Sequence, residues 1–309
     1  LLAAALPEPE PALYTVTLED LIRFFKNPAC RLLQERLGIR PEEGEEALAT
    51  REPFVLDGLE NYQVLEQMLD LHLERRPATT IATILRAEGA LPHGQVGECV
   101  FKQALDRVIR FAGRLGRVWP RQAPEPVVVD LPLGGFRLTG QVRGLTPECW
   151  VGYRLAGMKA NDYLNLWLHH LALNAAAPDG MSRPSHWVAE DQEVLLEPIP
   201  VADAVAYLQA LLAIYQQGTQ RLLHFFPNSA LTYMETLRKD KHQDTDKALR
   251  AAQRAWEGSE YDQRRAERDD AYYQLAFRDT DPLDDEFVEL AQAVFAPLFA
   301  QIEPPAADA

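Results

Sequence analysis

The stretch that decides the fold is residues 127–155, VVVDLPLGGFRLTGQVRGLTPECWVGYRL. Three runs within it are rich in β-branched and aromatic residues, and the joints between them, Gly134-Gly135 and Thr146-Pro147, are turn signals. This pattern predicts short strands connected by turns rather than helices. The predicted strands cover residues 127–131, 136–142 and 150–155.

Helical periodicity surrounds these strands. Thr17 is predicted to begin a helix with Asp20 as its capping partner, and Asn27-Pro28 is expected to break it because proline has no amide hydrogen. The clearest amphipathic helix covers residues 97–118, where apolar residues recur at helical spacing and four arginines follow the opposite side. Further helices are predicted at 58–73, 79–87, 161–174, 200–218 and over much of 227–300, and further strands at 54–57, 186–189 and 193–197.

This order of elements predicts an α/β fold with a helical C-terminal extension. The expected parts are a loose lead-in at 1–12, a core at 13–200, a helical extension packed on that core at 201–303, and a tail at 304–309. The chain begins with an apolar segment that lacks a starting Met and a basic region. We therefore expect a piece of a longer protein rather than a signal peptide.

Composition excludes several classes of protein. The 309 residues are 47% hydrophobic and 25% charged, which excludes a disordered or low-complexity chain. No apolar run is long enough to cross a membrane, and no Walker A sequence occurs, so neither a membrane nor ATP is an expected partner. Three widely spaced cysteines without a Cys-x-x-Cys motif predict a reducing, cytoplasmic location. A net charge of −15 means that any contact with nucleic acid needs a local basic patch.

Short motifs occur along the chain in an informative order. The helix start Thr17–Leu21 and the break at Asn27-Pro28 are followed by the helix start Gly58–Tyr62 and by the strand segments Gly140–Arg143 and Trp150–Arg154. This order resembles the nuclease domain of the RecB family, within the PD-(D/E)XK superfamily. The resemblance implies a restriction-endonuclease-like α/β core with added helices. In such nucleases a His and two Asp ligate a divalent metal that activates water, and a Lys adds positive charge.

The sequence departs from this pattern at every chemical position. Tyr62 stands at the His position, Arg143 and Gly152 at the two Asp positions, and Arg154 at the Lys position. Mg²⁺ requires oxygen ligands, which these residues do not supply. We therefore predict a catalytically degenerate core with no catalytic residue, no metal and no cofactor. The alternative is an active metal-dependent nuclease that uses other acids near the strands, namely Asp130, Glu148, Glu190, Asp191 and Glu193.

Longer segments resemble the RecC family. They are Asp20–Phe25, Leu56–Gln63, Leu223–Ala230 and Ala271–Arg278, within a likeness that spans about residues 13–302. The resemblance implies the C-terminal portion of a subunit of exodeoxyribonuclease V, the RecBCD helicase–nuclease of double-strand break repair and recombination. It implies a non-catalytic scaffold that holds RecB and RecD and guides DNA. A purely protein-binding adaptor stays open as an alternative.

The candidate nucleic-acid-binding residues are arginines. The set is Arg107, Arg110, Arg114 and Arg117 on the predicted helix 97–118, with Arg143 and Arg154 from the degenerate site. Each has an alternative interpretation, because charged helix faces are often only solvated and half-buried arginines usually pair with an acid. Two further expectations concern packing. His169 and His170 are predicted to be a surface pair, and Phe225-Phe226 to be core.

Overall fold

The computed structural model describes residues 5–7, 14–41, 58–118, 125–177, 183–258, 266–278 and 280–302, with only the backbone described at 58–60. The predicted strand at 54–57, the tail at 304–309 and most of the lead-in at 1–12 lie outside these residues. The described strands are β1 (Thr15–Thr17), β2 (Val127–Leu133), β3 (Phe136–Val142), β4 (Trp150–Arg154), β5 (Ser185–Ala189) and β6 (Glu193–Leu196).

The described helices surround these strands in sequence. Those before β2 are α1 (Leu18–Lys26), α2 (Pro28–Arg31), a π-helical turn (Leu32–Arg36), α3 (Gly58–Leu73), α4 (Ala78–Ala87) and α5 (Gly94–Leu115). Those after β4 are α6 (Ala160–Ala176), α7 (Val201–Gly218), α8 (Pro227–Lys239), α9 (Thr245–Glu257), a 3₁₀ turn (Glu267–Asp269), α10 (Ala271–Ala276) and α11 (Asp285–Gln301). The predicted α/β fold is confirmed.

The start and the break of the first helix follow from local hydrogen bonds. Thr17 is the N-cap of α1, and its hydroxyl accepts the backbone N–H of Asp20 at 3.0 Å. Helix α1 ends at Lys26, and the side-chain oxygen of Asn27 then accepts the N–H of Cys30 at 2.9 Å to begin α2, with Pro28 at its first position. Both features were predicted from the sequence, because a cap needs only residues within one turn.

The strands of the described residues form two three-stranded sheets. In the first sheet β3 lies between β1, which is parallel to it, and β2, which is antiparallel; in the second, β5 lies between parallel β4 and antiparallel β6. The two sheets meet where Leu145 bridges to Trp150 and the N–H of Val151 donates to the carbonyl of Gly144 at 2.9 Å. The segment after β3 is therefore held against the start of β4.

Alternate side chains of β4 and β5 point to opposite faces of the second sheet and enter two separate hydrophobic clusters. Trp150 and Trp187 point into the main core, which also takes side chains from β1–β3, α1 and α6–α11. Val151 and Val188 point to the other face, where they pack with α3, α4 and α5 in a second cluster. The second sheet is thus covered on both faces, and α3 and α5 are placed beside the end of β4.

The C-terminal helices belong to the main core. Helix α7 packs on α6, and α8 packs on α6, α9 and α11. Phe225 and Phe226, which precede α8, are buried as predicted, and Phe226 contacts the ring of Trp256 with 4.3 Å between centroids. The division of the chain into parts at residue 200 stays a prediction.

The prediction of a surface histidine pair was wrong. His170 is fully buried and bonds the hydroxyl of Ser185 at 2.9 Å, while His169 is half-buried and stacks on Trp150 with 4.7 Å between ring centroids. The reason is that α6 packs against α1, α7, α8 and both sheets, so that neighbouring residues on different helix faces both meet protein. Among the described residues, no helix has the length and apolar character needed to cross a membrane.

Candidate functional site

Two of the four degenerate positions meet at the end of β4. The guanidinium carbon of Arg154 lies 5.0 Å from the ring centroid of Tyr62 on α3, a cation–π contact. On its other side, Nη1 of Arg154 donates to both carboxylate oxygens of Asp162 at 3.3 Å each. Asp162 is only 7% exposed and also accepts the N–H of Lys159, at 2.8 Å, at the start of α6. The charge of Arg154 is therefore already paired inside the chain.

Gly152 lies beneath two tryptophan rings. It is in register with Trp187 on β5, and a Cβ at this position would lie 2.4 Å from Cε3 of Trp187 and 2.7 Å from Cη2 of Trp150. Real Cβ contacts essentially never fall below 3.0 Å. Gly152 and Arg154 share one face of β4, because side chains alternate along a strand. The space into which a carboxylate would project at position 152 is thus filled with indole.

Arg143 occupies a different environment from the other three positions. It follows β3, is exposed, and donates from its guanidinium only to the side-chain oxygen of Gln141, at 3.3 Å, among the described residues. Its backbone carbonyl accepts the indole N–H of Trp150 at 2.7 Å, which fixes it beside the start of β4. In the described part of the chain no contact joins the Arg143 side chain to Tyr62 or Arg154. Arg143 is thus an exposed arginine without an ion pair to a described residue, whereas the charge of Arg154 is neutralised by Asp162.

Three residues that the sequence analysis missed lie around these positions: Lys26 near Arg154, Glu66 beside Tyr62, and Asp70 beside Tyr153. Burial lowers the pKa of Lys26 at the end of α1, with Arg154 adding to this effect and Asp162 opposing it. On α3 the hydroxyl of Tyr62 donates to Glu66, and burial together with this bond raises the pKa of Tyr62 to about 12. Asp70 lies one turn further along α3, and burial raises the pKa of its carboxyl group. Spacing by four residues on α3 was a usable signal for Glu66 and Asp70; nothing local marked Lys26.

These residues do not suit the divalent metal that a nuclease would need. No group of three or more His, Cys, Asp or Glu side chains in the described ranges is arranged to hold a metal ion. The acids proposed as alternative ligands are otherwise engaged: Asp130 pairs with Arg137, Asp191 accepts the N–H of Met158, and Glu190 and Glu193 pair with arginines of α5. Glu148 lies exposed in the loop before β4.

The helix predicted at 97–118 is α5 and ends at Leu115, so Arg117 lies in the turn after it, and the four arginines do not form one continuous surface. Arg107 makes a bidentate pair with Glu190, and Arg114 donates to Glu193 at 2.9 Å and to the carbonyl of Glu190 at 2.8 Å. The bond from Arg107 lowers the pKa of Glu190 despite its partial burial. Arg107 and Arg114 thus attach α5 to the β5–β6 hairpin. The remaining two, Arg110 and Arg117, are exposed and form no ion pair with any described residue. A role of any of the six arginines in binding nucleic acid stays a prediction.

Fold and site together define a mixed α/β protein that carries cations and an aromatic ring where the nuclease resemblance places metal ligands. The family model described as the RecC C-terminal domain matches residues 14–238. The chain belongs to the RecC family, as its sequence motifs predicted.

Curated relatives agree with this assignment. The "RecBCD enzyme subunit RecC" of Escherichia coli K12 is 30% identical over 293 residues, which are 92% of this chain and 26% of that protein. The protein of the same name from Mycolicibacterium smegmatis is 29% identical over 234 residues, which are 70% of this chain and 20% of the relative. The Haemophilus influenzae protein is 23% identical over 210 residues, or 66% of this chain and 18% of the relative. The chain spans about a quarter of the length of the E. coli relative.

Proposed function

We propose that this chain is a non-catalytic scaffold and DNA-guiding domain of a RecBCD-type helicase–nuclease, the exodeoxyribonuclease V of double-strand break repair and recombination. Its partners are the RecB and RecD subunits and the DNA that passes through the assembled complex, in the cytoplasm. The domain itself performs no cleavage and needs no cofactor. Membership of the RecC family supports the place in such a complex.

The packing around Gly152 is the main observation that supports the proposed lack of catalytic activity. A metal-dependent nuclease needs a carboxylate at this position of β4, and the rings of Trp150 and Trp187 fill the space it would occupy. Arg154, at the position of the catalytic Lys, is engaged by Asp162 and by the Tyr62 ring. An arginine committed to a buried carboxylate is a structural element, because separating the pair would leave an uncompensated buried charge.

The DNA-guiding part of the proposal rests chiefly on Arg143. Of the two arginines among the four degenerate positions it is the exposed one, and its backbone carbonyl is bonded to the indole of Trp150. Arginine contacts to phosphate oxygens position a protein on DNA, and an exposed arginine without an ion pair is suited to make one. The second candidate, a purely protein-binding adaptor, is favoured by the net charge of −15, which opposes binding to a polyanion.

Cleavage assays test the first part. The purified chain, with Mg²⁺ or Mn²⁺ and either single- or double-stranded DNA, is expected to produce no cleavage. The control is the same preparation with EDTA, which identifies metal-dependent contamination. Cleavage that disappears when Asp130 or Glu148 is changed to Asn or Gln would contradict the proposal and favour an active nuclease with other ligands.

Salt titration separates DNA guiding from a pure adaptor. In the complex assembled with RecB and RecD, Arg143→Ala is expected to reduce the salt dependence of DNA affinity by the equivalent of about one phosphate contact. Arg250→Ala on α9 is the matched control, since Arg250 is also an exposed arginine but lies on a helix remote in sequence from the site. Equal salt dependence in both variants, with normal assembly, would favour the adaptor.

A further inference from the structure

A cleft opens among the C-terminal helices. Its described walls are the end of α9, the 3₁₀ turn at Glu267–Asp269, α10 and the segment that follows α10, and its volume is about 590 Å³. Ligand sites in proteins usually have volumes of about 300–1,000 Å³. The described residues that line the cleft include none of the degenerate positions and no residue of α5. It is therefore a separate feature to which the proposed function gives no role.

The buried part of the lining is aromatic. Trp256, Tyr273 and Phe277 line the cleft, and each is at most 7% exposed. All three rings contact the ring of Phe226 in the main core, with 4.3 Å, 5.0 Å and 5.2 Å between centroids. Because a packed core permits little movement, the elements that carry these rings also hold the polar side chains beside them in place.

The exposed part of the lining is basic. Arg268 and Arg278 both line the cleft, both are exposed, and neither forms an ion pair with a described residue. Arg107 and Arg114, by contrast, are paired with acids of the β5–β6 hairpin. Two guanidinium groups in one concave site are thus available to a ligand.

The acids of the same segment have other partners. The carboxylate of Glu267 accepts the N–H groups of Asn228 and Ser229, at 2.9 Å and 2.8 Å, at the start of α8. Asp270 is the N-cap of α10. Asp269, the one acid among the described lining residues, is likewise not free. The lining therefore has an excess of positive charge in a chain whose net charge is −15.

The hydroxyl group of Tyr273 adds a donor without an acceptor. It is buried and has no hydrogen-bond partner among the described atoms. Burial raises the pKa of this hydroxyl well above its usual value, so it keeps its proton at neutral pH and can donate. A buried donor without a partner costs free energy, which an acceptor oxygen of a ligand in the cleft would recover.

We propose that this cleft binds a phosphate ester, with Arg268 and Arg278 pairing with its oxygens and the hydroxyl of Tyr273 donating to it. Guanidinium groups present paired N–H donors that match the geometry of phosphate, and these bonds are charge-assisted. The same chemistry occurs in single-stranded DNA and in a free nucleotide, and the experiment separates these two sources. The inference goes beyond the proposed function, which assigns DNA contact to Arg143, outside the cleft.

The test measures how the full chain binds two probes, a fluorescent oligothymidylate by anisotropy and thymidine monophosphate by calorimetry. One variant is Arg268→Ala with Arg278→Ala, and the other is Tyr273→Phe, which removes the hydroxyl and keeps the ring. The matched control, Arg110→Ala with Arg117→Ala, removes two exposed arginines that lie outside the cleft and form no ion pair with a described residue. Thermal unfolding of each variant reports its fold.

We expect the double arginine variant to bind at least about tenfold more weakly with an unchanged melting temperature, because charge-assisted bonds to phosphate are lost. The control should change affinity by less than about threefold, since salt screens charges that lie away from the ligand. Tyr273→Phe should weaken binding by more than the control does. Loss with the oligothymidylate alone assigns the cleft to a DNA strand, and loss with thymidine monophosphate assigns it to a free nucleotide as well.

Other results would overturn the inference. If the unaltered chain binds neither probe, or if the arginine variant binds both normally, the cleft is not a phosphate site. An equal loss in the control would show that affinity follows the total charge of the chain. Displacement of the oligothymidylate by oligoglutamate as readily as by thymidine monophosphate would make the cleft a site for an acidic protein segment. Normal affinity of Tyr273→Phe would overturn the part assigned to its hydroxyl.

These failures are distinguishable from a failure of the proposed function. Assembly with RecB and RecD and the salt dependence that Arg143 contributes are measured separately, and neither depends on the cleft. A chain that loses phosphate binding in the cleft and still assembles would leave the proposed function intact.

Discussion

Placing a side chain at position 152 tests the packing that separates this domain from an active nuclease. Gly152→Ala puts a methyl group 2.4 Å and 2.5 Å from two ring atoms of Trp187 and 2.7 Å from one of Trp150. Gly152 is not among the glycines with positive φ, so backbone strain does not contribute. The tryptophan rings are buried and must shift, and overpacking of this kind costs about 1–3 kcal/mol.

Urea denaturation followed by circular dichroism measures this loss. Gly152→Ala is expected to lower the midpoint with an unchanged dependence on urea concentration, since only the native state is affected. Gly152→Asp is expected to lower the free energy of unfolding further, because it adds a carboxylate to the same space. It is also expected to gain no nuclease activity. Gly113→Ala is the matched control. The same added methyl group meets open space in a helix there, so it should stabilise the chain by about 0.5–1 kcal/mol.

A double-mutant cycle identifies the cause. Phenylalanine has a smaller ring than tryptophan and leaves more room for the new Cβ. In a Trp187→Phe background, Gly152→Ala should therefore lower the free energy of unfolding by about 1 kcal/mol less than it does with Trp187 present. The reasoning is refuted if Gly152→Ala changes the free energy of unfolding by less than about 0.5 kcal/mol, the range typical of unconstrained surface positions. It is refuted more strongly if Gly152→Asp restores Mg²⁺-dependent cleavage.

Three further predictions concern charged groups. Arg154→Ala leaves the Asp162 carboxylate without its guanidinium, and the free energy of unfolding in urea should fall by about 1–3 kcal/mol; an unchanged value would mean that the pair does not form. Burial lowers the pKa of His170 from 6.5 to about 4, so the unfolded chain binds the proton first and stability is lost as the pH falls from about 6.5 to 4. His170→Gln should reduce this loss by up to about 3 kcal/mol, and an identical pH profile would contradict the assignment. The coupling between Arg107 and Glu190 in a double-mutant cycle should stay below about 1 kcal/mol, and Arg107→Ala should leave DNA affinity of the complex unchanged; a shallower salt dependence would show that Arg107 contacts phosphate.

Local signals were sufficient to predict most of the elements. The hydroxyl of Thr17 and the side chain of Asn27 act on N–H groups three residues away, so the start of α1 and the break before α2 can be read from neighbours in the sequence. Gly134 and Gly135 have φ values of +55° and +92°, which a tight turn between β2 and β3 demands and a Gly-Gly pair predicts. The family was recognisable for a related reason, because its motifs are short contiguous segments.

The roles of the site residues depended on contacts that no local pattern encodes. The sequence predicted four arginines on one helix, but in the structure that helix ends before Arg117, and only the tertiary structure paired Arg107 with Glu190, 83 residues away. Likewise, the sequence alone shows that position 152 is a glycine and carries no carboxylate. That tryptophan rings fill the space beside it follows only from the pairing of β4 with β5. His170 was expected at the surface and is buried, because α6 meets protein on most of its faces. Helical and strand periods are set by the backbone over a few residues, whereas the partner of a side chain is set by which distant elements pack beside it.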